Sequence, residues 1–390
     1  MSGSLFIYPP LKRQDSIRLL HIHKAHHIDE PLSASLTEIQ LSSTTNSPKI
    51  QHAYIALSYC WGSQEKPQPV IIDQRILFIG QNLSDALRHL RKPDRDAVVW
   101  ADGLCINQDD LEERSSQVKM MRNIYSQAAR TVVFLGLEGG NTSISAWNYL
   151  ERESHSGAHY KCDSNSGPRF AEEAQTQKQK STSTSIPGFR GGLQDVEIDV
   201  LTRRWFRRVW VMQEVVVSRN IIVQCGRRRV SWDDFCKILL LQQRVNDRYG
   251  FSLSRHHLYE YLLRMVSARF AFLRSHGQTH ILPPWHDRVR DEESRSDGLI
   301  DMLSRARSLE ATEPRDKIFA VLGISAGIDK DAEASLIDYS LPVAKVYRNF
   351  AEYMIESSQS YDILSAVAVT TSDGMPSWVP DWGTEIGLPR

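Results

Sequence analysis

Residues 97–136, AVVWADGLCINQDDLEERSSQVKMMRNIYSQAARTVVFLG, decide the predicted fold because two apolar runs flank an amphipathic segment. The run at 97–107 predicts one strand and the run at 131–136 predicts another. Asp109 or Asp110 can cap the helix between them. The residues that share one face of that helix are Val118, Met121, Tyr125 and Ala128. The stretch therefore predicts a β-α-β unit.

The same alternation continues on both sides of this unit. YIALSYCWG at 54–62 predicts a strand, and NLSDALRHLRK at 82–92 predicts a helix. Residues 139–197 are polar and rich in Gly and Ser, so we expect a mobile insertion there. A helix over 199–217 and a strand over 220–226 are predicted to follow. The pattern indicates an α/β fold with a parallel sheet flanked by helices, in which ligands bind beyond the carboxyl ends of the strands.

Composition excludes several classes of protein. Lys plus Arg and Asp plus Glu both total 47, and no long run of one charge indicates a nucleic-acid or membrane surface. No apolar stretch approaches the roughly 20 residues of a membrane span, and the N-terminus lacks the pattern of a secretory signal. The five Cys residues are odd in number and several lie in apolar runs. We therefore expect a cytoplasmic protein that binds neither nucleic acid nor membrane.

The length of 390 residues predicts more than one structural unit, since single cores stop growing at roughly 250 to 300 residues. Residues 1–50 are predicted to form an N-terminal extension, and 51–232 the α/β unit. From 233 to 390 the apolar spacing is mostly helical, which predicts a helix-rich C-terminal unit packed on the first.

The stretch RRWFRRVWVMQEVV, residues 203–216, contains a single carboxylate, Glu214. In a continuous helix Trp205, Val209, Met212 and Val216 would pack on the sheet. The opposite face would then hold Arg203, Arg207, Trp210 and Glu214. Burying a carboxylate alone is costly, so Glu214 is either solvated, paired with an Arg from elsewhere, or held free for a ligand.

Three blocks of the chain resemble the signature blocks of the fungal heterokaryon-incompatibility (HET) domain. They are YIALSYCWG, VVWADGLCINQDDLEERSSQVKMMRNIYSQAARTVVFLG and RRWFRRVWVMQE, and the resemblance covers about residues 50–226. PRDKIFAVLG and PSWVPDW also resemble segments that follow this domain in many family members. Ala101 departs from the family pattern, which usually has a bulkier apolar residue before the Asp.

The resemblance implies a role in nonself recognition and regulated cell death, and a flavodoxin-type fold distantly similar to the Toll/interleukin-1 receptor (TIR) domain. In WVMQE, Trp210 and Glu214 are four apart, as in the WCxxE element of plant TIR domains, whose Glu serves NAD cleavage. The resemblance therefore implies that Glu214 is catalytic, with NAD as substrate and no cofactor. Nicotinamide leaves as a neutral base, so one carboxylate that stabilises the oxocarbenium charge can suffice.

Residues at the ends of the predicted strands, or on the predicted face of Glu214, are candidates to bind the substrate. Tyr59 and Trp61 offer aromatic faces to adenine or nicotinamide, or are ordinary core aromatics. Asp102 can bind ribose or shape a turn. Arg side chains suit a pyrophosphate, or pair with other parts of the protein. The candidate substrate-binding residues are Tyr59, Trp61, Asp102, Asn107, Gln108, Arg203, Arg207 and Trp210.

Other functions stay open from the sequence. The main alternative is a non-enzymatic TIR-like signalling module that oligomerises and recruits partners. A thiol hydrolase using Cys60 or Cys105 is disfavoured because Cys105 lies between apolar residues. The His residues of HIHKAHH lack zinc-ligand spacing, and no G-x-G-x-x-G follows a strand, which disfavours a dehydrogenase. For either leading function we expect a homo-oligomer when active and a protein trigger.

Overall fold

The computed structural model describes residues 4–41, 54–63, 65–155, 195–248, 256–286, 299–325, 328, 330–367 and 374–384. Nine strands of this described chain form one mixed sheet in the order β5-β4-β2-β1-β6-β3-β7-β8-β9. The strands are β1 Ser16–Ile22, β2 Leu32–Gln40, β3 Ile55–Tyr59, β4 Gln68–Ile72, β5 Arg75–Ile79, β6 Ala97–Trp100, β7 Arg130–Phe134, β8 Ile221–Cys225 and β9 Arg228–Ser231.

The four strands β6, β3, β7 and β8 are parallel and form the centre of the sheet. Ile55 on β3 lies opposite Val99 on β6 and Arg130 on β7, and β8 pairs with β7. Their side chains are mostly buried, as expected for strands that are covered on both faces. The chain passes from β3 to β6 on one side and then returns to β7 on the other. Such a reversal leaves a crevice at the carboxyl ends of the strands.

The expectation of a parallel sheet is confirmed for these central strands and for the β2–β4 pair, whereas antiparallel pairs extend the sheet on both sides. The β4–β5 hairpin closes with Asp73 and Gln74 at φ values of 47° and 68°, the geometry of a tight two-residue turn. On the other edge β9 pairs antiparallel with β8. The α/β class is therefore correct and the sheet is mixed.

The predicted N-terminal extension contributes two strands to the same sheet. β1 pairs antiparallel with β6, with Leu20 opposite Val99, and β2 pairs with β1. Arg18 on β1 is 2% exposed and forms an ion pair of 2.5 Å with Glu113. This buried pair ties the N-terminal strands to the helix Leu111–Gln127, in whose first turn Glu113 lies.

Eleven α-helices accompany the sheet in the described residues. They are α1 Gln81–Leu90, α2 Asp102–Cys105, α3 Leu111–Gln127, α4 Gly140–His155, α5 Trp210–Val216, α6 Trp232–Arg248, α7 His256–Ser275, α8 Leu299–Ala306, α9 Asp316–Leu322, α10 Lys330–Leu336 and α11 Val343–Ser358. The cap of α3 is Asp110, whose carboxylate accepts from the backbone N–H groups of Glu112 and Glu113, both at 3.0 Å. None of the described helices has the length and apolarity needed to cross a membrane.

Two sequence predictions about connecting segments need correction. The strand predicted over 97–107 ends at Trp100, and the short helix α2 follows it. The start of the predicted insertion at 139–197 is the helix α4, because Trp147 and Leu150 are buried in the core. Residues 156–194 of the predicted insertion lie outside the described residues.

The helix predicted over 199–217 is wrong, because the chain forms three short pieces there. A π-helical turn spans Val196–Val200, a 3-10 turn spans Arg204–Arg207, and α5 begins at Trp210. Arg203 and Arg208 between the pieces are extended, with ψ values of 138° and 137°. Tertiary contacts override helix propensity here, since the backbone of residues 207–209 bonds to that of Glu310.

The C-terminal part of the described chain is helical and covers α5. α5 packs against α3, α7 and α9, and its residues from Val211 to Val216 are buried. The division of the chain at residues 232–233 stays a prediction.

Candidate functional site

Glu214 on α5 lies under the central strand β3, in contact with its last residues. The side chain of Glu214 is 2% exposed. Its Oε2 accepts a hydrogen bond from the hydroxyl of Ser58, and the Ser58 Oγ in turn accepts one from the indole Nε1 of Trp205 at 2.7 Å. Ser58 therefore accepts one hydrogen bond, from Trp205, and donates one, to the carboxylate of Glu214.

Arg208 supplies the positive charge beside this carboxylate. Its Nη1 lies 3.9 Å from Oε1 of Glu214 and donates a hydrogen bond to the backbone carbonyl of Tyr59. At that separation the Arg208–Glu214 interaction is mainly electrostatic rather than a short hydrogen bond. We call Ser58, Trp205, Arg208 and Glu214 the Glu214 cluster.

Burial controls the protonation of Glu214. Loss of solvation raises its pKa from the ordinary 4.5 to about 7, while Arg208 and the Ser58 hydroxyl lower it and Asp102 raises it. The carboxyl group therefore titrates near neutral pH rather than in the acidic range of an exposed Glu. A carboxyl group with this pKa is a candidate for a functional residue.

A second carboxylate, Asp102, follows the neighbouring strand β6. Its Oδ2 accepts from the indole Nε1 of Trp61 at 2.9 Å, and its Oδ1 accepts from the backbone N–H of Gly103 at 2.7 Å. Gln108 Nε2 donates to the Asp102 carbonyl at 2.9 Å. Burial raises the pKa of Asp102, although Arg208 and the Trp61 N–H oppose this. Trp61 itself is 38% exposed, so this group reaches the surface.

Tyr59 connects the surroundings of the Glu214 carboxylate with those of the Asp102 carboxylate. Its backbone carbonyl binds Arg208, and its hydroxyl packs so closely on Gly103 that a Cβ at that position would overlap the oxygen. Burial raises the pKa of Tyr59 well above 10, and Asp102 raises it further. The phenol therefore stays protonated. We call Tyr59, Trp61, Asp102 and Gln108 the Asp102 group.

Five of the predicted site residues thus lie together, namely Tyr59, Trp61, Asp102, Gln108 and Glu214. Asn107 lies beside them in the loop between α2 and α3, where its backbone N–H donates to Glu113 Oε1 at 2.7 Å. Whether these residues bind a substrate stays a prediction.

The structure separates Arg203 and Arg207 from Glu214, because a 3-10 turn at Arg204–Arg207 between two extended residues replaces the predicted helix. Trp210 stays on α5 with Glu214, but its indole binds another residue. Arg203 donates to the carbonyls of Leu135 and Leu137 at 2.8 and 3.0 Å. Trp210 donates through Nε1 to Asp316 Oδ2 at 2.9 Å. Arg207 is exposed. The prediction that Arg203 and Arg207 share one helical face with Glu214 is wrong, whereas Trp210 lies four residues before Glu214 on α5 and does share it.

Sequence reasoning missed Ser58, Trp205 and Arg208. Arg208 is six residues before Glu214, a spacing that a continuous helix would not bring together. In the sequence, the one sign of a buried polar contact at β3 was the hydroxyl of Ser58 within an otherwise apolar run.

The structure gives little support to a thiol hydrolase or to a metal site. Burial raises the pKa of the Cys105 thiol to about 12, so this residue is not a thiolate at neutral pH. Cys60 is half-buried. No cluster of three or more His, Cys, Asp or Glu side chains suited to a metal ion occurs among the described residues.

The fold and site define an α/β protein with a buried carboxylate at the carboxyl end of its central strand. Residues 54–214 match the family model "Heterokaryon incompatibility protein (HET)". This match confirms the resemblance that the motifs predicted for this part of the chain, and it ends at Glu214 itself.

The chain is also similar to a curated fungal protein, heterokaryon incompatibility protein 6, OR allele, of Neurospora crassa. The two are 24% identical over 434 residues, which cover 99% of this chain. The chain spans 61% of the length of that relative. No solved structure matches the chain.

Proposed function

We propose that this protein is an effector of nonself recognition and cell death that cleaves NAD at the nicotinamide–ribose bond. The family match and the similarity to an incompatibility protein support the cellular role. The central strands, numbered along the chain from β3, lie in the order 2-1-3-4, which is the order of a flavodoxin-type sheet. That order supports the proposed likeness to TIR domains.

One observation carries the enzymatic part of the proposal, namely the position and protonation of Glu214. The carboxyl group lies where ligands of such sheets bind, and burial raises its pKa to about 7. A carboxylate in a water-poor site stabilises developing positive charge far better than one in water.

The proposed reaction needs one carboxylate. The bond between ribose C1′ and the nicotinamide nitrogen breaks, and its electron pair goes to the nitrogen, so the cationic ring leaves neutral. Glu214 stabilises the oxocarbenium charge on the ribose. Water then adds to C1′ and releases a proton, which gives ADP-ribose.

The Asp102 group is proposed to hold the substrate. Trp61 is exposed enough to stack on adenine or nicotinamide, and Asp102 and Gln108 can bind ribose or amide groups. Asn107 precedes Gln108 in the chain and Arg207 is exposed, so both stay candidates for substrate binding. Because Arg203 and Trp210 donate to other partners, they are weaker candidates.

The burial of Glu214 indicates a resting state. At 2% exposure its carboxylate cannot meet a ribose without a local opening. We propose that a protein trigger and homo-oligomerisation in the cytoplasm provide that opening.

Incubation of the concentrated full chain with NAD tests this function. Nicotinamide and ADP-ribose are measured by chromatography for the wild type, Glu214→Gln and the control Glu197→Gln. Glu197 is a matched control, since it is 3% exposed and accepts a hydroxyl hydrogen bond, from Tyr259 at 2.6 Å. We expect release by the wild type and the control only. No release by any of them after enforced assembly, or equal release by Glu214→Gln, would contradict the proposal.

The burial of Glu214 also supports a second candidate, a non-enzymatic signalling module. Ser58 and Arg208 already contact both carboxylate oxygens of Glu214, as in a purely structural network. This function predicts cell death that depends on assembly, with full toxicity and unchanged cellular NAD in the Glu214→Gln variant.

A further inference from the structure

The helix that carries Glu214 is too short to hold its own position. α5 has seven residues, and its N-cap Val209 provides no side-chain hydrogen bond. Helices of this length are unstable unless tertiary contacts fix them. The contacts that fix α5 at both ends come largely from the C-terminal helical part of the chain.

The N-terminal end of α5 is bound through Glu310. The backbone N–H of Val209 donates to the Glu310 carbonyl at 2.9 Å, and the Glu310 N–H donates to the Arg207 carbonyl. In the first turn, the Trp210 indole donates to Oδ2 of Asp316. Asp316 begins α9 and is itself held by the hydroxyl of Tyr339 at 2.5 Å.

The C-terminal end of α5 is capped by Arg269 from α7. This guanidinium is 4% exposed and donates to the carbonyls of Val215 at 2.8 Å, Val216 at 3.3 Å and Ser218. A cation at the carbonyl end of a helix satisfies unpaired acceptors and favours the helix dipole. The Ser218 hydroxyl adds a bond to the Glu214 carbonyl at 2.6 Å.

We propose that Arg269 and Asp316 are positioning residues that hold α5, and so Glu214, against Ser58. Both lie outside residues 54–214, the segment that matches the family model. That segment alone therefore lacks some of the contacts that position Glu214. For its catalytic consequence this inference rests on the proposed function.

Two measurements on the full chain test the proposal. Hydrogen exchange is followed on peptides covering 210–218, and NAD cleavage is measured over a range of NAD concentrations. The variants are Arg269→Lys, Arg269→Met and Asp316→Asn. The matched control is Arg91→Met, because Arg91 also donates to several carbonyls, those of residues 27, 28, 30 and 31, but in another part of the fold.

We expect exchange at 210–218 to rise about tenfold in Arg269→Met, less in Arg269→Lys, and not in the control. The kcat should fall by roughly 10- to 100-fold with little change in KM, because a small displacement of a catalytic group affects the chemical step. Asp316→Asn should act in the same direction because an amide nitrogen cannot accept the Trp210 or Tyr339 hydrogen bond.

Unchanged exchange at 210–218 in both Arg269→Met and Asp316→Asn would overturn the proposal. So would faster exchange with unchanged kcat in an active enzyme. A wild type that cleaves no NAD would instead refute the proposed function, and the exchange data would then decide about Arg269 and Asp316 alone.

Discussion

The hydroxyl of Ser58 on β3 donates a hydrogen bond to Glu214 on α5, which joins the central strand to a helix 156 positions later in the chain. This contact places a titratable group against a strand whose last four residues are all buried. Solvent cannot stabilise the charge there, so its ionisation depends on a few neighbours.

The pKa of Glu214 predicts the pH dependence of both catalysis and stability. If catalysis requires the carboxylate, kcat/KM should rise with pH through about 7. Stability should change in the opposite direction. Because the pKa of Glu214 is higher in the folded state than the ordinary 4.5, its stabilising contribution is fully present below pH 4.5. This contribution is lost as the pH rises through about 7.

Glu214→Gln should therefore be more stable than the wild type above pH 7, by up to about 3 kcal/mol. The difference should disappear below about pH 4.5, where Glu214 is protonated in both states. Urea unfolding at several pH values measures it. An equal difference at all pH values would contradict the raised pKa.

Ser58→Ala should raise the pKa of Glu214 further, since the Ser58 hydroxyl lowers it. It also leaves the Trp205 indole N–H without its acceptor, at a cost of about 1 to 3 kcal/mol in the free energy of unfolding. The control is Ser84→Ala. Ser84 is 1% exposed, and its Oγ has no hydrogen-bond partner in the described chain. We expect the midpoint of the pH–rate profile to shift upward in Ser58→Ala and not in Ser84→Ala. Equal profiles of the two variants would refute the role of Ser58.

Arg208→Met should also shift the pH–rate midpoint upward, because the guanidinium favours the ionised form of Glu214. Above pH 7 the variant should lose about 1 to 3 kcal/mol of stability, because it leaves a buried charge without its partner. Protonation of Glu214 should remove most of this loss at low pH. The adjacent, exposed Arg207→Met should change stability by less than about 0.5 kcal/mol at any pH. Equal effects of the two substitutions would contradict the assignment.

Apolar periodicity predicted the centre of the fold well. The spacing of apolar residues within short segments is enough to predict the strands β3, β6, β7 and β8 and the helices α1 and α3. The carboxyl ends of parallel strands meet at one edge, which explains why Tyr59 and Asp102, both chosen at the ends of predicted strands, lie close together. The antiparallel edges depend on pairing between distant segments, which periodicity does not show.

The partner of Glu214 could not be predicted for a related reason. The prediction assumed one continuous helix, whereas Arg208 is extended because its neighbours bond to Glu310. That contact depends on the position of the C-terminal part of the chain, about which residues 203–216 carry no information. Local spacing therefore selected Arg203 and Arg207 instead of Arg208.

Trp61→Ala should weaken NAD binding and raise KM by about tenfold, since an aromatic ring stacked on a base contributes roughly 1 to 3 kcal/mol. Trp61→Phe keeps the ring but removes the N–H that lowers the pKa of Asp102, so it should retain most of the affinity and shift the pH profile of KM upward. The control is Trp378→Ala, because Trp378 is 37% exposed, close to the 38% of Trp61. Steady-state kinetics of NAD cleavage measure all three. A KM for Trp61→Ala equal to that of Trp378→Ala would remove Trp61 from the substrate site and leave its contact with Asp102 as purely structural.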